Sequence, residues 1–380
     1  MINFAKFKMK SLSLLMKLLS NSKSHISILS LKNGKINRLF RKHSLENLVD
    51  IRKLKEKSYV SCLLKINETQ IASACGNYII NIWNLSNGTC IKSLIGHLGY
   101  IRFLLKLNTN QIASASDDCS IKIWEITTGV CIKSLEEHKQ AVKSLIILNK
   151  LQMSSCGDDG SIKIWDLING KCIKTFIENE RNERNERVII QIMLNDTLLA
   201  SSYCDGSIKV WNYTNGKCLK TMKEHKKLVG CILKLDDKLL ASSSDDCSIK
   251  IWDYSLRNGK CIKTLHEHTG YVRTIIKLNE KNIVSASKDC TIKIWDYLIG
   301  KFLMTLRGHI GYIISVLQIN KIQICSAGSD CVINIWDTQC GTCLFTFNDY
   351  SGSITCVLKI NERQIVGASF DKSIKIWDLF

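Results

Sequence analysis

The chain has 380 residues, of which 45% are apolar, so it has enough material for a large packed interior. Its 53 Lys and Arg against 34 Asp and Glu give a formal net charge of +19, which favours acidic proteins, nucleic acid or anionic membrane as partners without choosing among them. The absence of proline excludes proline turns, so the turns must depend on Gly, Asn and Asp.

The first segment, residues 1–30, is predicted to be a basic amphipathic extension. Between Met1 and Ser44 there are ten Lys and Arg and no Asp or Glu. An ordinary secretory signal is excluded because Lys17 interrupts the apolar run and no cleavage site follows, and the segment is too short and too charged to span a bilayer. A helix here could bind a membrane surface, a partner, an import receptor or the rest of the chain. Its apolar positions approximate one helical face: Phe4, Met9, Leu12, Leu15, Met16 and Leu19.

Residues 58–380 are built on one repeated phrase. The sequence SDDCSIKIW occurs twice, at Ser116–Trp124 and Ser244–Trp252, and every tryptophan of the chain stands in a version of it. Recurrence every 41 to 46 residues indicates a repeat architecture. The eight tryptophans are Trp83, Trp124, Trp165, Trp211, Trp252, Trp295, Trp336 and Trp377.

Each unit is predicted to contain four antiparallel strands. In the unit from Leu98 to His138 the strands are YIRFLLKLN, QIASAS, SIKIWEI and CIKSL. A turn glycine, often preceded by Asn, separates the third strand from the fourth in every complete unit, which is a strong hairpin signal. Eight such units predict an all-β, eight-bladed propeller whose tryptophans are core residues.

The unit resembles the WD40 repeat, over about residues 45–380. The resemblance implies that a hydrogen-bonded set of His, Ser or Thr, Asp and Trp stabilises each blade, and we call this set the tetrad. The serine is drawn from the pairs Ser114 and Ser116, Ser242 and Ser244, or Ser285 and Ser287, without a choice within a pair. The aspartates are Asp118, Asp159, Asp205, Asp246, Asp289, Asp330 and Asp371, and the histidines are His97, His138, His225, His268 and His309.

Three positions depart from the tetrad pattern. Asn77 stands in place of the aspartate in the first unit, and Asn179 and Tyr350 stand in place of histidines. We expect those blades to be looser than the others.

The polar set has the residue types of a hydrolase triad, but its repetition at one spacing indicates a scaffold. We therefore expect no catalysis, no metal and no cofactor. The single CxxC pair, Cys340 and Cys343, spans a hairpin turn, and no second pair exists to complete a zinc site. The cysteines follow the repeat, so we interpret them as small apolar residues in a reducing compartment.

The chain ends in SIKIWDLF, the third strand of the last unit, so the ring needs a fourth strand from residues 31–57. One candidate is Val49–Lys57, which runs directly into the first inner strand. The other is Asn33–His43, which matches the turn of the unit better but leaves about 15 residues over. The first is favoured.

Three surface features suggest partners. Tyr59, Tyr100, Tyr271 and Tyr312 precede inner strands, with Arg102 and Arg273 nearby, and are candidates for a protein interface or for simple strand caps. The sequence ENERNERNER, residues 178–187, is predicted to be a solvated loop. Repeated lysines form a basic belt or, alternatively, protect the outer edges: Lys92, Lys133, Lys174, Lys220 and Lys263 in fourth strands, and Lys122, Lys163, Lys209, Lys250, Lys293 and Lys375 in third strands.

The resemblance implies an intracellular, non-catalytic interaction scaffold or adaptor, monomeric within a complex, with the cytoplasm as the expected location and the nucleus as the alternative. One alternative is a basic propeller that associates with RNA. Another is a substrate-recruiting subunit of a ubiquitin ligase, although the chain has neither a WDxR sequence nor a convincing F-box.

Overall fold

The computed structural model describes residues 51–177, 187–256 and 259–379, so the predicted N-terminal extension, Asn33–His43, Asn179 and most of the insertion lie outside the described residues. The described residues form eight four-stranded antiparallel sheets, which we number as blades in chain order. The first four blades are β2 (Val60–Lys65), β3 (Gln70–Cys75), β4 (Ile80–Asn84) and β5 (Cys90–Leu94); β6 (Ile101–Lys106), β7 (Gln111–Ser116), β8 (Ile121–Glu125) and β9 (Cys131–Leu135); β10 (Val142–Ile147), β11 (Gln152–Gly157), β12 (Ile162–Asp166) and β13 (Cys172–Phe176); and β14 (Val188–Met193), β15 (Leu198–Tyr203), β16 (Ser207–Asn212) and β17 (Lys217–Lys223).

The remaining four blades continue the same order, and the last of them takes its fourth strand from the start of the described chain. They are β18 (Val229–Lys234), β19 (Leu239–Ser244), β20 (Ile249–Asp253) and β21 (Lys260–Leu265); β22 (Val272–Lys277), β23 (Asn282–Ser287), β24 (Thr291–Asp296) and β25 (Lys301–Arg307); β26 (Ile313–Asn320), β27 (Gln323–Gly328), β28 (Ile333–Asp337) and β29 (Cys343–Phe347); and β30 (Ile354–Lys359), β31 (Gln364–Ser369) and β32 (Ser373–Asp378) with β1 (Ile51–Lys55).

The blades form a closed ring. The first strand of each blade contacts the first strand of the next, and β2 of blade 1 also contacts β30 of blade 8. Strand β1 pairs with β32 in an unbroken antiparallel register from Ile51↔Trp377 to Lys55↔Ser373. The prediction that an N-terminal strand completes the last blade is therefore confirmed, and this strand lies within the candidate Val49–Lys57.

The apolar cores lie between blades. Trp124 of blade 2, for example, packs with Ile80 and Ile82 of blade 1, and each of the eight clusters likewise joins residues of two neighbouring blades. The second strand of every blade is buried at all positions but its first, because neighbouring blades cover both of its faces. Its small residues, as in QIASAS, allow this close approach. No helix long and apolar enough to cross a membrane occurs in the described part of the chain.

Candidate interaction face

Antiparallel connectivity divides the turns between the two faces of the ring. The turn between the second and third strands lies on the same face as the segment that leads from one blade into the next. We call this the loop face. The turns between the first and second strands and between the third and fourth strands lie on the opposite face.

The tetrad of blade 2 connects the loop face to the core. Trp124 Nε1 lies 2.8 Å from Ser114 Oγ, and this oxygen lies 2.6 Å from His97 Nε2. His97 Nδ1 lies 2.7 Å from Asp118 Oδ2, which also accepts a bond from the Leu98 amide at 2.9 Å. Because a carboxylate only accepts hydrogen bonds, Nδ1 donates to it. In the neutral imidazole Nε2 then accepts from the serine, and the serine accepts from the indole.

The same four contacts occur in blades 3, 5, 6 and 7. The His–Asp distances are 2.6–2.8 Å and the His–Ser distances 2.7–2.8 Å. The groups concerned are His138, Ser155, Asp159 and Trp165; His225, Ser242, Asp246 and Trp252; His268, Ser285, Asp289 and Trp295; and His309, Ser326, Asp330 and Trp336.

Hydrogen bonds together determine the direction in which the pKa values of these aspartates are shifted. Burial alone raises the pKa of the Asp159 carboxyl, but the bonds from His138, the Lys139 amide and Ser161 outweigh it and lower the pKa to about 2. The pKa of Asp118 is also held below its usual value, where the bonds from His97 and Ser120 outweigh burial. These carboxylates are thus ionised acceptors that fix the turn above the core.

The structure distinguishes the two serines of each pair. The first, such as Ser114, belongs to the tetrad. The second, such as Ser116, donates to the Gly99 carbonyl at 3.0 Å and accepts from the Asp118 amide at 3.1 Å, so it stabilises the turn. Ser244 and Ser287 make the equivalent bonds in blades 5 and 6.

In blade 1 a carboxylate replaces the histidine, and the sequence analysis missed it. Glu56 is 8% exposed and accepts bonds from Ser73 Oγ at 2.5 Å, Asn81 Nδ2 at 2.6 Å and Trp83 Nε1 at 2.9 Å. Its own amide donates to the Lys372 carbonyl of blade 8 at 2.8 Å. Glu56 therefore connects β1 to blade 1. A spacing of 27 residues before Trp83, the same as from His97 to Trp124, was the signal that could have identified it.

In blade 8 Tyr350 occupies the histidine position. Its hydroxyl donates to the Gly367 carbonyl and accepts from the Lys375 amide, and Gly367 stands where other blades have the tetrad serine. A Cβ at Gly367 would lie 2.9 Å from the Tyr350 hydroxyl and 3.1 Å from the Trp377 ring. Without that serine, Trp377 Nε1 has no hydrogen-bond partner among the described residues.

Blade 4 keeps the bond from Trp211 Nε1 to Ser201 Oγ, at 2.9 Å. Ser201 in turn donates to the hydroxyl of the buried Tyr203 at 3.3 Å. Asp205 accepts from the Ser207 hydroxyl at 2.6 Å and pairs with Lys223 at 3.0 Å. The predicted gaps in the tetrad of blades 1 and 8, and the partial tetrad of blade 4, thus contain other bonded side chains.

The tetrads are placed for structure. Ser114 is 0% exposed, and its oxygen already contacts Trp124 and His97, so no substrate can reach it as a nucleophile. The described residues contain no group of three His, Cys, Asp or Glu side chains that could hold a metal ion. All eighteen cysteines are free, including Cys340 and Cys343.

Two of the predicted interface tyrosines belong to an aromatic cluster on the loop face. Tyr59 lies 4.9 Å from Phe370 and 6.3 Å from Tyr100, and Tyr100 lies 5.1 Å from Tyr78 at an edge-on angle, all between ring centroids. Gly76 leaves room for the Tyr59 ring, because a Cβ there would lie 2.3 Å from that ring and would displace it. Tyr78 and Phe370 were missed, although both flank the tetrad-aspartate position of their turns.

The two predicted arginines have different surroundings. Arg102 donates through Nε to Asp117 at 2.8 Å and through a second nitrogen to the same carboxylate. Lys143 lies 3.6 Å from Asp117 and 2.9 Å from Asp158, so the charges of blades 2 and 3 neutralise one another. Arg273 is exposed and has no ion pair among the described residues.

The repeated lysines make specific bonds within the fold. In third strands Lys163, Lys209, Lys250, Lys293 and Lys375 are at most 8% exposed. In fourth strands Lys133 donates to the Leu167 and Ile168 carbonyls of the next blade. Lys174 of blade 3 and Lys220 of blade 4 likewise donate to carbonyl groups of the blade that follows their own. Neither group presents a continuous basic belt.

The comparisons agree with this architecture. The family model described as "WD domain, G-beta repeat" matches more than half of the chain, at residues 88–125, 129–166, 185–212, 216–253, 259–296, 300–337 and 341–378. No curated protein matches. The solved structures that match include the crystal structure of the computationally designed Ika8 protein, with 24% identity and a TM-score of 0.76 over 86% of this chain and 98% of that one, a likeness that concerns the fold alone.

Six of the seven matched repeats comprise the fourth strand of one blade and the first three strands of the next, as residues 88–125 contain β5 to β8, and the match at 185–212 contains β14 to β16. The seven matched repeats contain every strand except β13 and the strands of residues 51–84, which complete the eight-bladed ring. On this evidence of sequence and architecture, the chain belongs to the WD40 repeat family.

Proposed function

We propose that the protein is a non-catalytic scaffold or adaptor that presents its loop face to partner proteins. The observation that supports this is the exposure of large side chains which the fold does not use. Tyr100, Tyr312 and Phe370 are 40%, 53% and 52% exposed on the loop face. Aromatic residues are enriched at interface hot spots, and a rigid ring presents them with little cost in ordering.

A location inside the cell follows from the same proposal. Eighteen free thiols suit a reducing compartment, and the cytoplasm is our expectation rather than the nucleus. The protein would act as one monomeric propeller within a larger complex. A role in recruiting ubiquitin-ligase substrates has no specific support on this face.

The test is affinity capture from native lysate with matched variants. Tyr100→Ala/Tyr312→Ala removes two exposed aromatic side chains of the loop face, and Leu151→Ala/Ile322→Ala removes two exposed apolar side chains of the opposite face. We expect the first variant to lose its partner proteins without a large fall in melting temperature, and the second to keep them.

A nuclease arm separates the RNA alternative. Proteins that remain captured after nuclease treatment support the proposal, whereas capture that disappears with nuclease supports association through nucleic acid. If both alanine variants lose the captured proteins equally, or lose them only together with unfolding, the use of the loop face is contradicted.

A further inference from the structure

Blades 5 to 7 carry a row of alternating cations and aromatic rings on the loop face. Lys227 Nζ lies 5.5 Å from the centroid of the Tyr271 ring, and Lys288 Nζ lies 4.7 Å from that ring and 5.4 Å from the Tyr312 ring. The exposed Arg273 stands two residues after Tyr271. We call Lys227, Tyr271, Lys288 and Tyr312 the cation–aromatic row.

The positive charges of this row are not neutralised. Lys227, Lys288 and Arg273 have no ion pair within residues 51–177, 187–256 and 259–379. In blades 2 and 3 the equivalent region behaves differently, because Arg102 and Lys143 are paired with Asp117 and Asp158. The loop face therefore has one self-neutralised sector and one sector with free positive charge.

The row is held by the backbone of the turns. The Lys288 amide donates to the Tyr271 carbonyl at 2.8 Å, and the Ser329 amide donates to the Tyr312 carbonyl at 2.8 Å. Each turn is fixed from below by a tetrad, through Asp289 in blade 6 and Asp330 in blade 7. The backbone that carries Tyr271, Lys288 and Tyr312 is thus preorganised, which reduces the entropy lost when a ligand binds.

We propose that the cation–aromatic row binds a short acidic segment of a partner protein, whose carboxylate or phosphate oxygens pair with Lys227, Lys288 and Arg273. This rests on the proposed function and names the chemistry of its partner. Lys227 and Lys288 contact the same ring, so their ammonium groups are at most about 10 Å apart, a distance that about three residues of extended chain can span. Charge-assisted bonds of this kind are the strong ones.

The surroundings favour a peptide over single-stranded nucleic acid. Sequence-independent binding of single strands needs aromatic faces on which bases stack, and here ammonium groups contact the rings of Tyr271 and Tyr312. Asp245 lies in the turn beside the row, and Asp117 and Asp158 further round the loop face are already paired with Arg102 and Lys143, so a long phosphate backbone would gain no attraction beyond the row. A short acidic segment needs only the row.

The test uses the full-length chain and labelled probes of about nine residues at about 0.1 M salt. The probes are a peptide with three glutamates, the same peptide with phosphoserines, the neutral glutamine peptide and an oligouridylate. The row variant is Lys227→Gln/Lys288→Gln. The matched control, Lys139→Gln/Lys150→Gln, removes two exposed lysines elsewhere and so lowers the net charge equally.

We expect the wild type to bind one or both anionic peptides but not the neutral one. The affinity for those peptides should fall at least about tenfold in the row variant and change less than about twofold in the control variant. The two anionic peptides distinguish carboxylate from phosphate. The inference is overturned if neither anionic peptide binds, or if the control variant weakens peptide binding as much as the row variant does. It is also overturned if the oligouridylate binds more tightly than the peptides and its binding weakens equally in the row variant. Melting curves of each variant show that folding is retained, and Lys288→Gln alone replaces the double variant if it is not.

The two proposals fail separately. Partner capture that depends on Tyr100 and Tyr312, together with no binding of acidic probes, removes only the acidic-segment inference. Binding of acidic probes without any protein captured from lysate removes the scaffold proposal and leaves the row as an anion site.

Discussion

At the scale of single residues, blade 8 shows how one substitution restricts another. Tyr350 is larger than the histidine it replaces, and its hydroxyl occupies space near the backbone of Gly367. Ile333 Cδ1 would lie only 2.8 Å from a Cβ at that glycine. The tyrosine and the glycine are therefore a matched pair, and the unpartnered indole of Trp377 is the cost of that pairing.

This pairing predicts a non-additive double variant. Gly367→Ser alone should lower the free energy of unfolding by about 2 kcal/mol, because the added atoms overpack a buried site. Gly367→Ser combined with Tyr350→His restores the tetrad and gives Trp377 Nε1 an acceptor, so it should recover at least about 1 kcal/mol of that loss. Urea unfolding of the wild type, both single variants and the double variant measures the coupling. Strictly additive losses contradict the matched pair.

The tetrad aspartates predict a dependence of stability on pH. The pKa of Asp159 is about 2 in the folded chain, against an ordinary value of 3.8. A lowered carboxyl pKa gives stability that is complete above about pH 4 and is lost as the pH falls towards 2. Its side chain is 6% exposed, so little solvent screening applies, and the contribution is about 2 kcal/mol.

Asp159→Asn cannot ionise, so this variant should be less stable than the wild type near neutral pH and should lose less stability between pH 4 and pH 2. Urea unfolding across this range measures the difference. Asp196→Asn, at an exposed turn, serves as the control and should follow the wild-type curve. Parallel curves for Asp159→Asn and the wild type would contradict the assignment.

Among the individual residues, the sequence predicts the regular tetrads because a fixed spacing carries them. His97 and Asp118 stand at constant distances from Trp124, and their equivalents do so in four more blades. Glu56 was missed because its residue type differs, although its position is the same. The choice between Ser114 and Ser116 needed the structure, since both side chains are buried polar groups with partners.

At the scale of strands, each fourth strand of blades 1 to 7 contains a bulge opposite the tryptophan. In blade 2 the register passes from Ile123↔Lys133 to Trp124↔Cys131, so Ile132 is the extra residue, and it is 40% exposed. Bulged edge strands do not pair readily with other sheets. The bulge therefore contributes to edge protection, and protection by the outer lysines stays a prediction. A bulge depends on pairing between strands, which a single-strand pattern does not reveal.

Strand β1 makes the closure of the ring a testable property. It pairs with β32 and buries Leu54 between blades 8 and 1. Deletion of residues 31–57 removes β1 and Glu56, and we expect an aggregated or unfolded protein because the edge of β32 is then unpaired.

Deletion of residues 31–48 is the matched control, since it removes the other candidate, Asn33–His43, but leaves β1 intact. This variant should melt cooperatively at nearly the full-length temperature, as measured by circular dichroism and size-exclusion chromatography. A soluble, cooperatively melting 31–57 deletion would contradict closure by β1.

At the scale of the whole molecule, net charge and accessible charge differ. The chain carries +19, but many of its repeated lysines are buried or bonded to neighbouring blades. Lys133, Lys174 and Lys220 each connect a fourth strand to carbonyl groups of the next blade. Composition alone predicted a generally basic surface, and only the packing shows which lysines contribute to stability. In the cation–aromatic row Lys227 is exposed and Lys288 is half-buried, and neither forms an ion pair with a described residue.

This difference predicts separate effects for two sets of lysine variants with equal loss of charge. Lys133→Met/Lys174→Met/Lys220→Met should lower the free energy of unfolding by about 1 kcal/mol per lost donor, because the carbonyl groups of the next blade lose a charged partner. Lys139→Gln/Lys150→Gln/Lys226→Gln changes exposed side chains and should leave stability within about 0.5 kcal/mol of the wild type. Non-specific RNA binding, measured against salt, should weaken more in the exposed set, since only accessible lysines can contact phosphates. A methionine set that abolishes RNA binding while stability is unchanged would instead support a basic belt around the outside of the ring.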